Sequence, residues 1–303
     1  MNLLRDATCS CVRHFKRGRD VEIKKMNNNT DLYEKYGEYN IWFNQLNLPS
    51  FSVEYAWRKT KVIIQNLAQK YIESKKNNKT LQVVDVGCGN GALLIRIAEN
   101  NSKLGKQIQF RGFDLSESFV EYSNKAVKYK GLANVSFSQI DLEKDKIPGG
   151  YDLVIMSEVL EHLNNPKQVL KKIYDSLNPG GVLLISTPNS KNLIKYPFIF
   201  LKSLIGRKDS LEMSKHLTQE EQRHKLAEQE QHLYVFSQPE LIKLLKNVGF
   251  IKNHAFRSTT LFGGPFLDNH PLLFGLIIFL DKIFDILSFT QVGWDNIISS
   301  EKP

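Results

Sequence analysis

Short runs of aliphatic and β-branched residues alternate along the middle of this chain with stretches in which apolar side chains recur every three or four positions. The first kind of run predicts strands at Leu81–Val86, Ile108–Phe113, Val135–Ile140, Asp152–Met156 and Val182–Ser186. The second predicts helices over Tyr55–Ser74, Ala92–Asn100, Glu117–Lys130 (stopped by Gly131) and Pro166–Leu177, closed by Asn178-Pro179-Gly180-Gly181. Strands alternating with helices at this rhythm imply an α/β fold with a doubly wound, mainly parallel sheet and helices on both faces. A further helix, Ser237–Val248, opens on Ser-Gln-Pro-Glu and ends at Gly249. Strands at Ile251–Arg257 and Trp294–Ser299 bring the total to seven.

Three stretches break the rhythm. Residues 1–26 read as a disordered basic tail and 27–303 as a single domain. Within 27–47, Tyr33, Tyr36, Tyr39, Trp42 and Phe43 read as packing an N-terminal helix onto the sheet. Lys191–Leu233 carries an aromatic-aliphatic piece and then a charged stretch with His216, His224 and His232, which reads as a lid or insertion beside the site. Residues 260–291 form an apolar helical insertion. Within Pro271–Phe289 the longest charge-free run, Pro271–Leu280, is far below the roughly 20 residues that span a bilayer. Pro271–Phe289 is therefore either a cover for a pocket or subunit interface, or an interfacial helix touching membrane or lipid.

Charge adds a weak indication. Lys and Arg exceed Asp and Glu by nine, but part of that surplus sits in the tail, and no long basic stripe remains elsewhere to suggest a nucleic-acid partner. Cys9, Cys11 and Cys88 make neither a disulfide framework nor a zinc pattern, so a reducing compartment, the cytoplasm, is expected. No uninterrupted apolar run follows the basic start to suggest a secretory signal.

The chemistry concentrates where the first strand breaks off into Gly87-Cys88-Gly89-Asn90-Gly91 and a helix begins. Glycines there allow positive φ and close approach of a ligand, and the helix start favours an electronegative group, which suits a nucleotide-like cofactor. Asp85, inside that strand, is costly to bury unless it anchors turn N–H groups or faces a polar or cationic ligand. Asp114, closing the second strand, is spaced to accept from both hydroxyls of a ribose.

The Asp-x-Gly-x-Gly-x-Gly run with its acidic second-strand end resembles the class I S-adenosylmethionine-dependent methyltransferases, over roughly Thr80–Asn189. The resemblance implies their Rossmann-like fold, with S-adenosyl-L-methionine cradled by Asp85, Gly87, Cys88, Gly89 and Gly91 and its ribose on Asp114 beside Leu115. It further implies adenine recognition by Asp141 with Leu142 packing on the ring, and Ser157 and Glu158 bordering the cofactor.

Immediately after the fourth strand, Ser157-Glu158-Val159-Leu160-Glu161-His162 spaces Glu158, Glu161 and His162 so that one helical turn would set them on one face. Two carboxylates and an imidazole there can hold a divalent cation or, with His162 as base, take a proton from an acceptor hydroxyl. Glu-x-x-Glu-His resembles the motif of ubiquinone-biosynthesis O-methyltransferases and of small-RNA terminal 2′-O-methyltransferases, both associated with a divalent metal (Mg2+ or Zn2+). In the RNA enzymes a further histidine follows strand five, for which His232 is the candidate. A structural His162 is the third alternative. The leading expectation is O-methylation of a small-molecule, lipid-like, quinone-like or sugar acceptor. The alternatives are an RNA 2′-O-methyltransferase and a cofactor-binding homologue without catalysis.

Overall fold

A computed structural model describes residues 51–75, 79–102, 104, 107–192, 232–259, 271–284 and 290–303. The tail 1–26, the aromatic stretch 27–47, His216, His224 and most of the 191–233 segment lie outside the described residues, as do 260–270 and 285–289. A long helix α1 (Phe51–Ser74) leads into β1 (Leu81–Val86), α2 (Ala92–Asn101), β2 (Ile108–Asp114), α3 (Glu117–Lys130), β3 (Val135–Gln139) and β4 (Tyr151–Ser157). There follow α4 (Pro166–Ser176), β5 (Leu177–Pro188), α5 (Gln238–Val248), β6 (Ile251–Arg257), α6 (Pro271–Phe284) and β7 (Asp295–Glu301).

The seven strands form one sheet in the order β3-β2-β1-β4-β5-β7-β6, parallel except for β7, which runs antiparallel to both neighbours. Strand alternation divides the core in two. Val84, Val86, Val154 and Met156 point to the face covered by α4 and α5, whereas Val83, Leu153 and Ile155 point to the face covered by α1, α2 and α3. Local signals set the helix ends: Ser116 accepts from the Phe119 N–H at 3.2 Å, Gly131 closes α3 in the left-handed region, and Ser237 with Glu240 forms a capping box.

Of the boundaries that differ from the sequence reading, two have a visible backbone cause. Strand β5 begins at Leu177, five residues early, because the Asn178–Gly181 turn stays paired: Gly180 N–H donates to the Lys302 carbonyl and Lys302 N–H to that of Gly181, each at 2.9 Å. Trp294 lies outside β7, its N–H donating to Thr259 O at 2.6 Å.

The strand order reverses between β1 and β4, which run side by side with Asp85 opposite Ile155. Such a reversal opens a crevice at the carboxyl ends of the strands. Gly112 of β2 keeps the floor of that crevice tight, since an added Cβ would lie 2.2 Å from the Phe137 ring and 2.9 Å from Cys88 Sγ. Gly112→Ala is expected to destabilise the fold by about 1–3 kcal/mol through overpacking, read as a lower urea midpoint at unchanged slope. An unaltered midpoint would contradict it.

Candidate active site

The glycine turn sits where β1 ends against β2. Gly87 and Cys88 N–H both donate to the Phe113 carbonyl, at 2.7 and 3.0 Å, and Gly87, Gly89 and Gly91 all take positive φ. Their surroundings differ. A Cβ on Gly87 would meet Val159 at 2.4 Å and one on Gly91 would meet Phe137 at 2.5 Å, but one on Gly89 would have nothing within 4 Å. Gly89 therefore presents open backbone on the crevice side. Asp114 bridges the cradle from β2, one carboxylate oxygen accepting from Gly89 N–H at 2.7 Å and the other from Ser116 N–H at 3.0 Å. A carboxylate has about four lone-pair sites, more than these two bonds use. The open face at Gly89 together with this acceptor fits a nucleoside cofactor. Leu115 beside it accepts from the Gln139 amide through its carbonyl at 2.9 Å.

Further along, Asp141 accepts from the N–H of Glu143 and of Lys144 and pairs with the Lys144 ammonium at 2.9 Å. Burial works against its ionisation, but the hydrogen bonds from Lys144 and Glu143 hold its carboxyl below the usual range. Leu142 is buried in the core under α4. Both residues lie at the end of β3, on the ribose side of the cradle.

On the other side of the crevice stands a cation that the sequence reading missed. Lys61 of α1 donates to Ser157 Oγ at 2.9 Å, with its ammonium 4.9 Å from the centre of the Trp57 ring. It is the positive charge that opposes the effect of burial on Asp85, Glu158 and Asp295. Ser157 shares a hydrogen bond with Ser186 at 2.9 Å, Ser186 donates to Glu158 Oε1 at 2.5 Å, and the Thr60 hydroxyl donates to Asp295. Burial pushes the Asp295 carboxyl well above its ordinary range, and the charge of Glu158 pushes it further.

Asp85 is raised to about 7, by burial first, with Lys61 lowering it and Asp114 raising it. A cationic ligand favours the carboxylate, so affinity for a sulfonium cofactor is expected to tighten as pH rises through about 7, by up to roughly tenfold per pH unit below it. The uncharged thioether product should show a shallower slope, and Asp85→Asn should flatten both, as read by calorimetry across pH. Fold stability should move oppositely. The native state holds a proton that the unfolded chain releases near 3.8, so this contribution is full below that value and is lost as pH rises to about 7. Parallel, pH-independent affinities for both compounds would contradict this role.

The turn after β4 departs from the helical turn expected. Glu158 sits at φ +57°, its N–H held by the Ser186 carbonyl at 3.0 Å, and only Leu160–His162 winds into a 3₁₀ turn. Glu158 is thereby turned toward Ser186 rather than ranged with Glu161 and His162. Leu233 and Tyr234 N–H instead donate to the Glu161 carbonyl at 2.7 and 3.1 Å, which brings His232 beside His162 with ring centres 5.1 Å apart. Glu161, His162 and His232 each offer a ligand atom within 4.8 Å of the others. Glu161 is fully buried. Its Oε2 accepts from the Thr187 hydroxyl at 3.0 Å, while its Oε1 has no hydrogen-bond partner and lies 3.8 Å from His162 Nε2. Burial, then the charge of Glu158, drives the Glu161 carboxyl well above its ordinary range.

Comparison with known proteins agrees with this geometry. A family described as Methyltransferase domain matches residues 77–247, more than half of the chain. Ubiquinone biosynthesis O-methyltransferase of Shewanella halifaxensis is 32% identical over 133 residues, 44% of this chain and 52% of that protein. Its Coxiella burnetii namesake is 30% identical over 128 residues, 42% and 52% of the two chains. The chain thus spans about half the length of the curated relatives it matches. Magnesium protoporphyrin IX methyltransferase of Synechocystis PCC 6803, solved with bound SAH, superposes with a TM-score of 0.55 at 17% identity, over 90% of this chain and 98% of that one. A possible histamine N-methyltransferase from Thermotoga maritima gives 0.53 at 16% identity, over 90% and 99%. These structures share the fold. With the family matched across the strands that build the cradle, the chain belongs to the methyltransferase domain family, the class I S-adenosylmethionine-dependent methyltransferases.

Proposed function

We propose that the protein transfers the methyl group of S-adenosyl-L-methionine to a hydroxyl oxygen of a small, lipid-like acceptor of the phenol or quinol type. The observation that carries this reading is the buried, unpartnered Glu161 Oε1 facing two imidazoles at the crevice. A displacement at a sulfonium methyl requires alignment of donor and acceptor and, for a hydroxyl, removal of its proton. A buried carboxylate and two imidazoles beside the cofactor supply that need, whereas an amine acceptor can attack without a base. The ubiquinone-biosynthesis O-methyltransferases among the relatives support oxygen as the acceptor atom.

In this reading Asp85, Gly87, Cys88, Gly89 and Gly91 bind the cofactor with Asp114 on its ribose, and Asp141 and Leu142 serve the adenine end. Lys61 and Glu158 flank the methionyl end. The acceptor oxygen attacks the methyl carbon, the carbon–sulfur bond breaks, and the thioether leaves neutral. His162 takes the hydroxyl proton. In a second version Glu161, His162 and His232 would instead hold a divalent cation, with His162 a ligand and not the base. Their donor set of two nitrogens and one oxygen suits zinc better than magnesium, and Glu161 Oε1 is the atom left over for it. Such a cation would lower the pKa of an oxygen bound to it.

Metal content separates the two versions of proton removal. Wild-type protein is expected to retain about one divalent ion per chain after dialysis. Glu161→Ala should retain none, with turnover falling to the level of the chelator-treated enzyme. Full turnover in chelator would leave His162 acting alone as base. Transfer to an amine at the same site, with no O-methylated product, would overturn the proposal.

A further inference from the structure

The helix α6 is set into the molecule with its polarity reversed. Its one acid, Asp281, is fully buried, where its carboxylate accepts from Tyr55 at 3.0 Å and from the Lys59 ammonium at 2.6 Å. The Arg257 guanidinium lies 3.8 Å from that carboxylate and donates to the Asp281 carbonyl at 2.8 Å. Phe274 adds an edge-on contact with Tyr55, ring centres 6.1 Å apart. The opposite face is apolar and turned to solvent: Leu272 is 91% exposed, Leu276 52%, Phe279 60% and Ile283 43%. Positions 272, 276, 279 and 283 follow one stripe of a helix, and Leu273 widens it. Elsewhere on the described surface, exposed large apolar side chains stand singly. A helix that packs by its acid and shows its leucines to water has its inner side already satisfied.

We propose that α6 is an interfacial helix by which the protein docks on an anionic lipid bilayer. Fourteen residues make a helix about 21 Å long, short of the roughly 30 Å of hydrocarbon in a bilayer, so it lies in the interface plane with its stripe among the acyl chains. Among the described residues no helix is long and apolar enough to cross a membrane. The charge of the rim fits an anionic surface. Lys282 is exposed at the end of the stripe, and the chain as a whole carries +9. A second copy of the chain is a poorer occupant, because five side chains on one helix fall well short of the roughly 20–30 residues a side of a stable protein interface.

Position links this surface to the site. Lys59, which holds α6, and Lys61, which reaches Ser157, are two residues apart and so on opposite sides of α1, which puts α1 between α6 and the crevice. Docking by α6 then holds the crevice roughly two helix widths, about 20 Å, from the bilayer in which an apolar acceptor is concentrated. That consequence rests on the functional reading above; docking itself does not.

The test is flotation of the full chain with vesicles of phosphatidylcholine plus phosphatidylglycerol, and of phosphatidylcholine alone, without cofactor or acceptor. The wild type is expected to float with the anionic vesicles. Leu276→Glu combined with Phe279→Glu should lower the bound fraction by about tenfold or more, and Lys282→Glu should weaken binding to the anionic vesicles selectively. Calorimetric affinity for S-adenosyl-L-methionine, unchanged in these variants, shows that they fold. Should the double variant lose it, Leu272→Glu at the most exposed position takes its place. No binding by the wild type, or equal binding by both forms, overturns the proposal. So does a lipid-free dimer that the variant turns into a monomer, which would assign the stripe to a second copy. Failure to float with cofactor affinity intact leaves the methyltransferase reading standing, whereas floating protein that does not bind cofactor would remove that reading and keep the docking.

Discussion

Gly89→Arg is expected to lower affinity for S-adenosyl-L-methionine by at least about two orders of magnitude, close to 3 kcal/mol or more, without unfolding the protein. Gly89 is the turn glycine with open space beside its Cα, while its neighbours abut Val159 and Phe137. A side chain there fills the volume in which the ligand would meet the main chain. A non-glycine residue at φ +53° carries a further penalty of roughly 1–2 kcal/mol, which shifts the turn and weakens the bond from Gly89 N–H to Asp114. Calorimetry reads the affinity, and a urea melt separates binding from folding. Retention of wild-type affinity would remove the cofactor from this turn.

The second large effect is expected at His162. Replacing it with Ala should cut kcat by about two to four orders of magnitude while leaving affinity for S-adenosyl-L-methionine within about twofold of wild type, because His162, in the turn past β4, is not among the residues assigned to the cofactor. The pH dependence of turnover distinguishes this from a packing role, since the acidic limb of the wild-type profile should disappear in the variant. A variant that loses affinity and turnover together, with the limb retained, would place His162 in the framework of the turn.

The parts of the fold that were legible in the sequence are those dictated locally. Val83, Val84 and Val86 mark β1 because a strand buried on both faces has little use for alternation, and three glycines in five residues leave few options for the turn that follows. Gly131 and the Ser237–Glu240 box carry their own cap chemistry, so helix ends could be read to the residue. The glycine turn was legible for the same reason, down to the positive φ at Gly89.

Where geometry comes from distant chain, it was not legible. Glu158, Glu161 and His162 have helical spacing, but the Ser186 carbonyl captures the Glu158 N–H and forces positive φ, so the turn begins later and Glu158 faces Ser186. Lys61 reads as a solvated lysine in a helix otherwise patterned for packing. Only the crossing of α1 over β4 and β5 brings its ammonium to Ser157 and the buried acids. The Trp57–Lys61 pair, four residues apart on one face, was the available hint. Asp281 is the mirror case. An acid within an apolar run looks like the solvent side of a helix, yet Tyr55, Lys59 and Arg257 gather it inward and leave the leucines outside.

At the centre of this account is a nucleoside laid across the Gly89 backbone with its sugar on Asp114. A crystal structure of the chain with the demethylated cofactor tests it most directly. Both ribose hydroxyls are expected within about 3 Å of the Asp114 carboxylate, with the thioether sulfur on the β4 side of the turn. A ribose held by other residues, or a crevice closed by the protein's own side chains with the ligand bound elsewhere, would contradict it.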